Sequence, residues 1–192
     1  HRSFTIVGLP TGYGKTRVAQ IATHLLRSSR REGCDSGPTL IISPLISLMD
    51  DQRNKWGPEH LGKILEKANL EPLRCRFLTA AESTRMNQVM RELREDELDV
   101  LCCSPESLIS PKIGRNHMIE TFLQMPNPFS LMVVDEAHII ADWGASIRPT
   151  FQLLNMVKER LLQANPALRL LLMSATITSD EDQELRRMFE NG

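Results

Sequence analysis

Short, nearly unbroken apolar runs punctuate this chain, and between them apolar residues return every third or fourth position. Phe4-Thr5-Ile6-Val7, "TLIIS" (39–43), "RCRFL" (74–78), "DVLCC" (99–103), "LMVVD" (131–135) and "LRLLLMS" (168–174) have strand length. Such runs predict strands covered on both faces. Val18, Ile21, Ala22 and Leu25 keep the i, i+3, i+4, i+7 spacing of a helix with one apolar face. Met86, Val89, Met90 and Leu93 repeat it. Phe151, Leu154, Val157 and Leu161 mark a further helix that stops before Pro166. Another helix is expected from Pro44. Ser179 is expected to cap a closing helix whose first turn holds Asp180, Glu181 and Asp182. Strands alternating with helices predict an α/β fold of three layers, with a mainly parallel central sheet.

The segments between these elements do not divide the chain. "REGCDSGP" (31–38) reads as a polar loop. "MPNPFS" (125–130) is a proline loop rather than a domain linker, because the core pattern resumes at once. The whole of 1–192 is read as one domain, and its abrupt start on a strand reads as a piece of something longer.

Composition narrows the chemistry. The chain has 192 residues, 41% hydrophobic and 24% charged, with a formal net charge of -1. That is ordinary for a cored globular domain, and no global basic field advertises a polyanion partner. Any such site must be local. Cys34, Cys75, Cys102 and Cys103 form no Cys-x-x-Cys pair, and the histidines form no His-x-x-x-His, so no structural metal is expected. Cys102 and Cys103, inside an apolar run, read as core thiols. No apolar stretch reaches the length of a membrane span and no signal-peptide pattern opens the chain. The expected setting is reducing and cytoplasmic, or nuclear in a eukaryote.

"GLPTGYGKT" (8–16) falls between the first strand and the first helix, where a phosphate-binding loop must lie. Gly12 and Gly14 let the backbone turn its N–H groups inward, and those donors with the helix N-terminus make a nest for an anion. Lys15 can reach terminal phosphates as a point charge, and Thr16 offers a hydroxyl to magnesium. Pro10, Thr11, Gly12, Tyr13, Gly14, Lys15 and Thr16 are therefore the candidate nucleotide-binding residues. The strict pattern wants glycine at position 9, and this chain has Leu9.

A phosphate loop needs an acidic partner at the end of a nearby parallel strand, and "LMVVDE" supplies it. Strand ends on one edge of a parallel sheet face one crevice. Asp135 would organise Mg²⁺ with Thr16, and Glu136 would orient or deprotonate the attacking water, with Lys15 as its catalytic partner. Two adjacent carboxylates repel without a cation, so a magnesium site explains them better than core packing. His138 is open on spacing alone: a helix-surface histidine or a functional one.

"IISPLISLMDDQ" and "LCCSPESLISP" share one grammar, an apolar strand followed by Ser-Pro and a helix. Ser43 and Ser104 suit the N-cap, and Pro44 and Pro105 suit the first helical position. Their free N–H groups could hold phosphates of a nucleic-acid backbone. Simple capping of two ordinary helices explains the same residues equally well.

Taken in order, "PTGYGKT", "SPLISLMDDQ", "SPESL", "DEAH" and "SAT" resemble the motifs of superfamily 2 helicases. "SPLISLMDDQ" and "DEAHIIADWGASIRPTF" are similar, more narrowly, to RecQ-type DNA helicases, over about residues 4–178. The resemblance implies a RecA-like P-loop NTPase fold, the first ATP-binding motor domain of a translocase that hydrolyses ATP with Mg²⁺ and separates DNA strands. It implies that His138, Ser174 and Thr176 couple hydrolysis to movement. It also places Trp143 and Arg148 in an aromatic-rich DNA-sensing loop, with an anchor packed on the domain surface as the lesser reading of Trp143. Where the family's loop carries His, Asp and Phe, this chain has Ala145, Ser146 and Ile147, a weaker stacking platform. The segment ahead of "TLIIS" is also longer than in the family, which marks a divergent branch.

By the same resemblance, an adenine-reading glutamine motif would precede residue 1. A second RecA-like domain of the same chain, with its arginine finger, would follow residue 192. Such a finger is worth about 10³ to 10⁵ in rate, so the isolated domain is expected to be nearly inactive. The expected partner is DNA, single-stranded or forked, with no membrane. Other readings remain: a non-hydrolysing nucleic-acid clamp, or an RNA helicase or translocase, since nothing here reports on 2′-hydroxyl contacts. A GTPase is disfavoured because the Asn-Lys of "NKWG" (54–57) precedes the acidic strand and lacks the aspartate. A small-molecule kinase requires neither the Ser-Pro helix starts nor the Ser-Ala-Thr strand end.

Overall fold

The computed structural model describes residues 3–31, 37–43, 46–79, 83–109, 118–125, 127–139 and 149–190. Six strands form one sheet: β1 (Ser3–Gly8), β2 (Thr39–Ile42), β3 (Cys75–Leu78), β4 (Val100–Cys103), β5 (Leu131–Val134) and β6 (Arg169–Ser174). Their order across the sheet is β1-β6-β5-β2-β4-β3, and every pairing is parallel. The helices are α1 (Lys15–Arg31), α2 (Ile46–Trp56), α3 (Lys63–Lys67), α4 (Ser83–Arg94), α5 (Pro105–Ile109), α6 (Met118–Leu123), α7 (Pro149–Ala164) and α8 (Ser179–Glu190). A π-helical turn, Pro58–Gly62, joins α2 to α3, a feature the apolar spacing did not foretell.

The four inner strands, β6, β5, β2 and β4, are nearly all apolar because both of their faces are packed, whereas the edge strands β1 and β3 expose Thr5 and Arg76. Ile41, Val100, Cys102, Leu131, Val133, Leu171 and Met173 join Ala19, Met49, Trp56, Leu61 and Leu65 in one core. Their neighbours along the strands, Leu40, Ile42, Leu101, Cys103, Met132, Val134, Leu170 and Leu172, point the other way. There they meet Met86, Leu93, Phe122, Leu154, Leu161, Leu185 and Phe189. This is the two-residue alternation of a pleated strand, read into two cores rather than into core and solvent. Each fully buried Leu, Ile or Val contributes about 1.5–3 kcal/mol. Three layers, as the pattern predicted, are the result.

Two local expectations need correction. On α1, Ile21 and Leu25 are 61% and 65% exposed, whereas Ala19, Gln20 and Thr23 are buried. Val18 and Ala22 do pack, with Ala19 and Leu26, against the core. On the same side Thr23 meets Thr39 at 3.0 Å and the Gln20 amide donates to the Lys55 carbonyl at 3.0 Å. At α8 the cap is Thr178, not Ser179. The Thr178 hydroxyl accepts from the Glu181 N–H at 3.3 Å, and the Glu181 carboxylate accepts from the Thr178 N–H. Thr178-x-x-Glu181 is thus a reciprocal capping box. The far end of α8 is closed by the fully buried Lys158, whose Nζ donates to the Met188 and Phe189 carbonyls.

Among the described residues, no helix is long and apolar enough to cross a membrane.

Candidate active site

Because all six strands run one way, their C-terminal ends share an edge, and the topology decides who neighbours whom. β6 lies between β1 and β5, so the Ser174 end of β6 separates the glycine loop after β1 from the acidic pair after β5. Two backbone bonds fix this junction: the Leu9 N–H donates to the Ser174 carbonyl at 3.1 Å, and the Ala137 N–H to the Met173 carbonyl at 2.8 Å.

The loop turns where Gly12 and Gly14 adopt positive φ of 87° and 96°. Added side chains would be strained there. The turn delivers Lys15, 8% exposed, to the floor of a cleft of about 320 Å³. Lys15 Nζ donates to the Leu9 carbonyl at 2.9 Å and lies 3.9 Å from Glu136 Oε1. Thr11, Gly12, Gly14, Thr16, Asp135 and Glu136 line the same cleft. Pro10 and Tyr13 do not, and the Tyr13 ring is 75% exposed.

Across the cleft, Asp135 is buried at the strand end. Burial, then the neighbouring Glu136 charge, push its carboxyl above the usual range, opposed by a hydrogen bond from Gln52. Glu136 takes φ of 47°, a left-handed conformation uncommon for a non-glycine residue and typical of strained functional turns. That turn brings the Glu136 N–H to Asp135 Oδ1 at 3.1 Å. It leaves Glu136 Oε2 near the Ala175 N–H, at 3.4 Å, and near His138 Nδ1, also at 3.4 Å.

His138, Ser174 and Thr176 are drawn together here. His138 Nδ1 lies 2.9 Å from the Ser174 hydroxyl, which donates its proton to the Thr176 carbonyl. A hydroxyl has one proton to give, so His138 Nδ1 must carry the hydrogen between it and Ser174.

The sequence model of the DEAD/DEAH box helicases matches residues 2–185. The chain belongs to the DEAD/DEAH box helicase family. Among curated helicases it is 32% identical, over 92% of its length, to "ATP-dependent DNA helicase Q-like 5" of Arabidopsis thaliana. It is 31% identical, over 97% of its length, to "Probable ATP-dependent DNA helicase RecS" of Bacillus subtilis (strain 168). It spans 16% of the former and 31% of the latter, so less than a third of either. Among solved helicase structures it resembles Mycobacterium smegmatis Lhr bound to ssDNA and AMP-PNP, with 26% identity and a TM-score of 0.59. That match covers 91% of this chain and 21% of that one.

Within this helicase domain Ser43 and Ser104, just after β2 and β4, share the cleft's edge of the sheet, since β2 and β4 follow β5 in the strand order. Ser43 and Ser104 are both fully buried. The Ser104 hydroxyl meets that of Ser107 at 2.9 Å, and Pro105 opens α5. Pro44, Trp143 and Arg148 lie outside the described residues.

The sequence reading missed the contribution of α2. Gln52, Lys55 and Asp51 line the cleft, as do Arg17 and Gln20 from α1 and His60 from the π-helical turn. Gln52 Nε2 donates to Asp135 Oδ2 at 2.5 Å, and the Trp56 indole N–H donates to Gln52 Oε1 at 3.1 Å. The signal was present: positions 51, 52 and 55 fall on one side of the helix after "SPLISLM".

Proposed function

We propose that this chain is the ATP-binding motor domain of a RecQ-like, ATP-dependent DNA helicase. The observation that carries the reading is the approach of Lys15 Nζ to Glu136 at 3.9 Å, in a cleft shared with Thr16 and Asp135. A triphosphate laid along the glycine loop would meet inward N–H groups, the dipole of α1 and the Lys15 ammonium. The donor set fits magnesium. It offers hard oxygens, a hydroxyl and carboxylates, while among the described residues no group of three or more His, Cys, Asp or Glu could by itself hold a metal. Magnesium characteristically leaves most of its positions to phosphate and water. Thr16 and Asp135 would hold it, and when bound it neutralises charge developing on the phosphates.

Glu136 is the group placed to orient an attacking water and take its proton. Its contacts with Ala175 and His138 tie that carboxylate to the end of β6. His138, Ser174 and Thr176 are assigned to coupling on that basis. DNA, rather than RNA, as the track rests on similarity to the RecQ-like relatives. A second motor domain would complete the cleft, and the helix starts after Ser43 and Ser104, with Trp143 and Arg148, are assigned to the nucleic acid.

The full-length protein tests this. Lys15→Ala should abolish nucleotide binding at micromolar concentrations. Glu136→Gln should bind nucleotide within a few-fold of the parent while DNA-stimulated hydrolysis falls about 10²- to 10⁴-fold. Equal turnover by the parent and Glu136→Gln would overturn the assignment.

A further inference from the structure

Gln52 belongs to no catalytic set expected from the sequence, yet its buried amide is what touches the strand-end carboxylate. We propose that Gln52 is a positioning residue that holds Asp135 in its metal-facing orientation, and that Trp56 acts on Asp135 through it. The inference rests on reading the cleft as a magnesium–nucleotide site.

The hydrogen-bond inventory leaves one arrangement. An indole N–H only donates, so Gln52 Oε1 must face Trp56 and Gln52 Nε2 must face Asp135. An ionised carboxylate only accepts. The chain Trp56 → Gln52 → Asp135 therefore has one polarity throughout, and each link strengthens the next. With Gln52 on Oδ2 and the Glu136 N–H on Oδ1, the plane of the carboxylate is held from both sides. Gln52 and Trp56 are 4% and 3% exposed, so water does not substitute freely for either.

The anchor is firm at its other end. Met49 and Trp56 sit in the core beneath α1, and Gln20 ties α1 to the Lys55 carbonyl of α2. α1 begins with Lys15 and Thr16. The hydroxyl and the carboxylate assigned to magnesium are thus both referenced to α2, although they stand on different elements. Residues that orient metal ligands commonly change metal affinity 10- to 100-fold when removed.

The test measures binding of a fluorescent ADP analogue to the full-length protein, with Mg²⁺ and in EDTA. Gln52→Met keeps the length and removes the donor. It should weaken Mg²⁺-dependent binding about tenfold while Mg²⁺-free binding stays within about twofold. Trp56→Phe should weaken Mg²⁺-dependent binding about threefold, and the double variant should be no worse than Gln52→Met alone. A purely structural role would weaken both binding modes together, and that result overturns the proposal. So does full additivity of the two substitutions. Should Gln52→Met fail to fold, Trp56→Phe decides alone: a folded variant with unchanged Mg²⁺ dependence refutes the relay. Lys15→Ala is the separate control. If it binds nucleotide normally, the reading of the cleft fails whatever Gln52 does.

Discussion

His138 and Ser174 stand 36 positions apart in the chain and 2.9 Å apart in space. The bond joins the turn after β5 to the end of β6, and the Ser174 hydroxyl passes on to the Thr176 carbonyl. Ser174→Ala deletes both contacts and leaves the half-buried His138 with its contact to Glu136. Two neutral hydrogen bonds are worth about 1 kcal/mol each. On the reading proposed above, strand separation per ATP hydrolysed by the full-length protein should fall about tenfold or more, with nucleotide affinity little changed. Parallel hydrolysis and unwinding assays on one preparation measure the ratio; an unchanged ratio would refute a coupling role.

Asp99 is an acid-sensitive point of the fold. Burial opposes its ionisation, but hydrogen bonds from the Arg74 side chain and backbone, with the charges of Arg27 and Arg74, outweigh that and hold its carboxyl below the usual range. Arg27 lies at 3.4 Å and Arg74 at 3.0 Å from Oδ1. A depressed carboxyl contributes fully above the unfolded value, about 3.9, and its contribution disappears as pH falls through the folded value. Asp99→Asn leaves Arg27 without that partner and should cost about 3 kcal/mol, or about 6–12 °C in Tm near pH 7. The gap to the parent should narrow below about pH 4. Thermal unfolding across pH checks both; a constant gap would contradict the linkage.

The cap of α8 can be located by a pair of substitutions. Thr178→Ala should cost about 1 kcal/mol, because it removes one half of the capping box. Ser179→Ala should stay within about 0.5 kcal/mol, as for a surface position without a cap. Chemical denaturation resolves the difference, and the reverse order would restore the cap to Ser179.

Two thiols, the half-buried Cys75 and the buried Cys102, should be inert. Burial, with the nearby Asp99 charge, pushes Cys75 up to about 12. Burial, then Cys103 and Asp135, push Cys102 well above the ordinary thiol range. Thiolate is the reactive form, so alkylation at pH 8 should leave both unlabelled in the folded protein and label both in denaturant. Peptide mass spectrometry reads the outcome directly.

Much of this protein was legible without coordinates. The inner strand runs were apolar on both parities because both faces are buried, so the three-layer parallel fold followed from pattern alone. The glycine loop could be placed because its φ demands and its lysine are local properties of "TGYGKT". The acidic pair could be assigned to the same edge because parallel strands put their ends together. What the sequence hid were relations that depend on how elements roll and meet. Periodicity proposed Val18, Ile21, Ala22 and Leu25 for the buried face of α1, but the face that packs is centred on Ala19, with Val18, Ala22 and Leu26, and leaves Ile21 and Leu25 outside. Propensity could not choose between adjacent Thr178 and Ser179, because the cap is set by where the Glu181 N–H points.

By itself, then, the sequence determined the class of fold and the chemistry of its loop and strand ends, because hydrophobic period and glycine conformation act within a few residues. Only the tertiary structure decided that β6 would stand between β1 and β5, so that Ser174 meets His138. Only it set α2 against the acidic strand end, so that Gln52 holds Asp135. Those contacts join side chains far apart in the chain, and their geometry comes from packing two helical layers on one sheet, which no local pattern encodes.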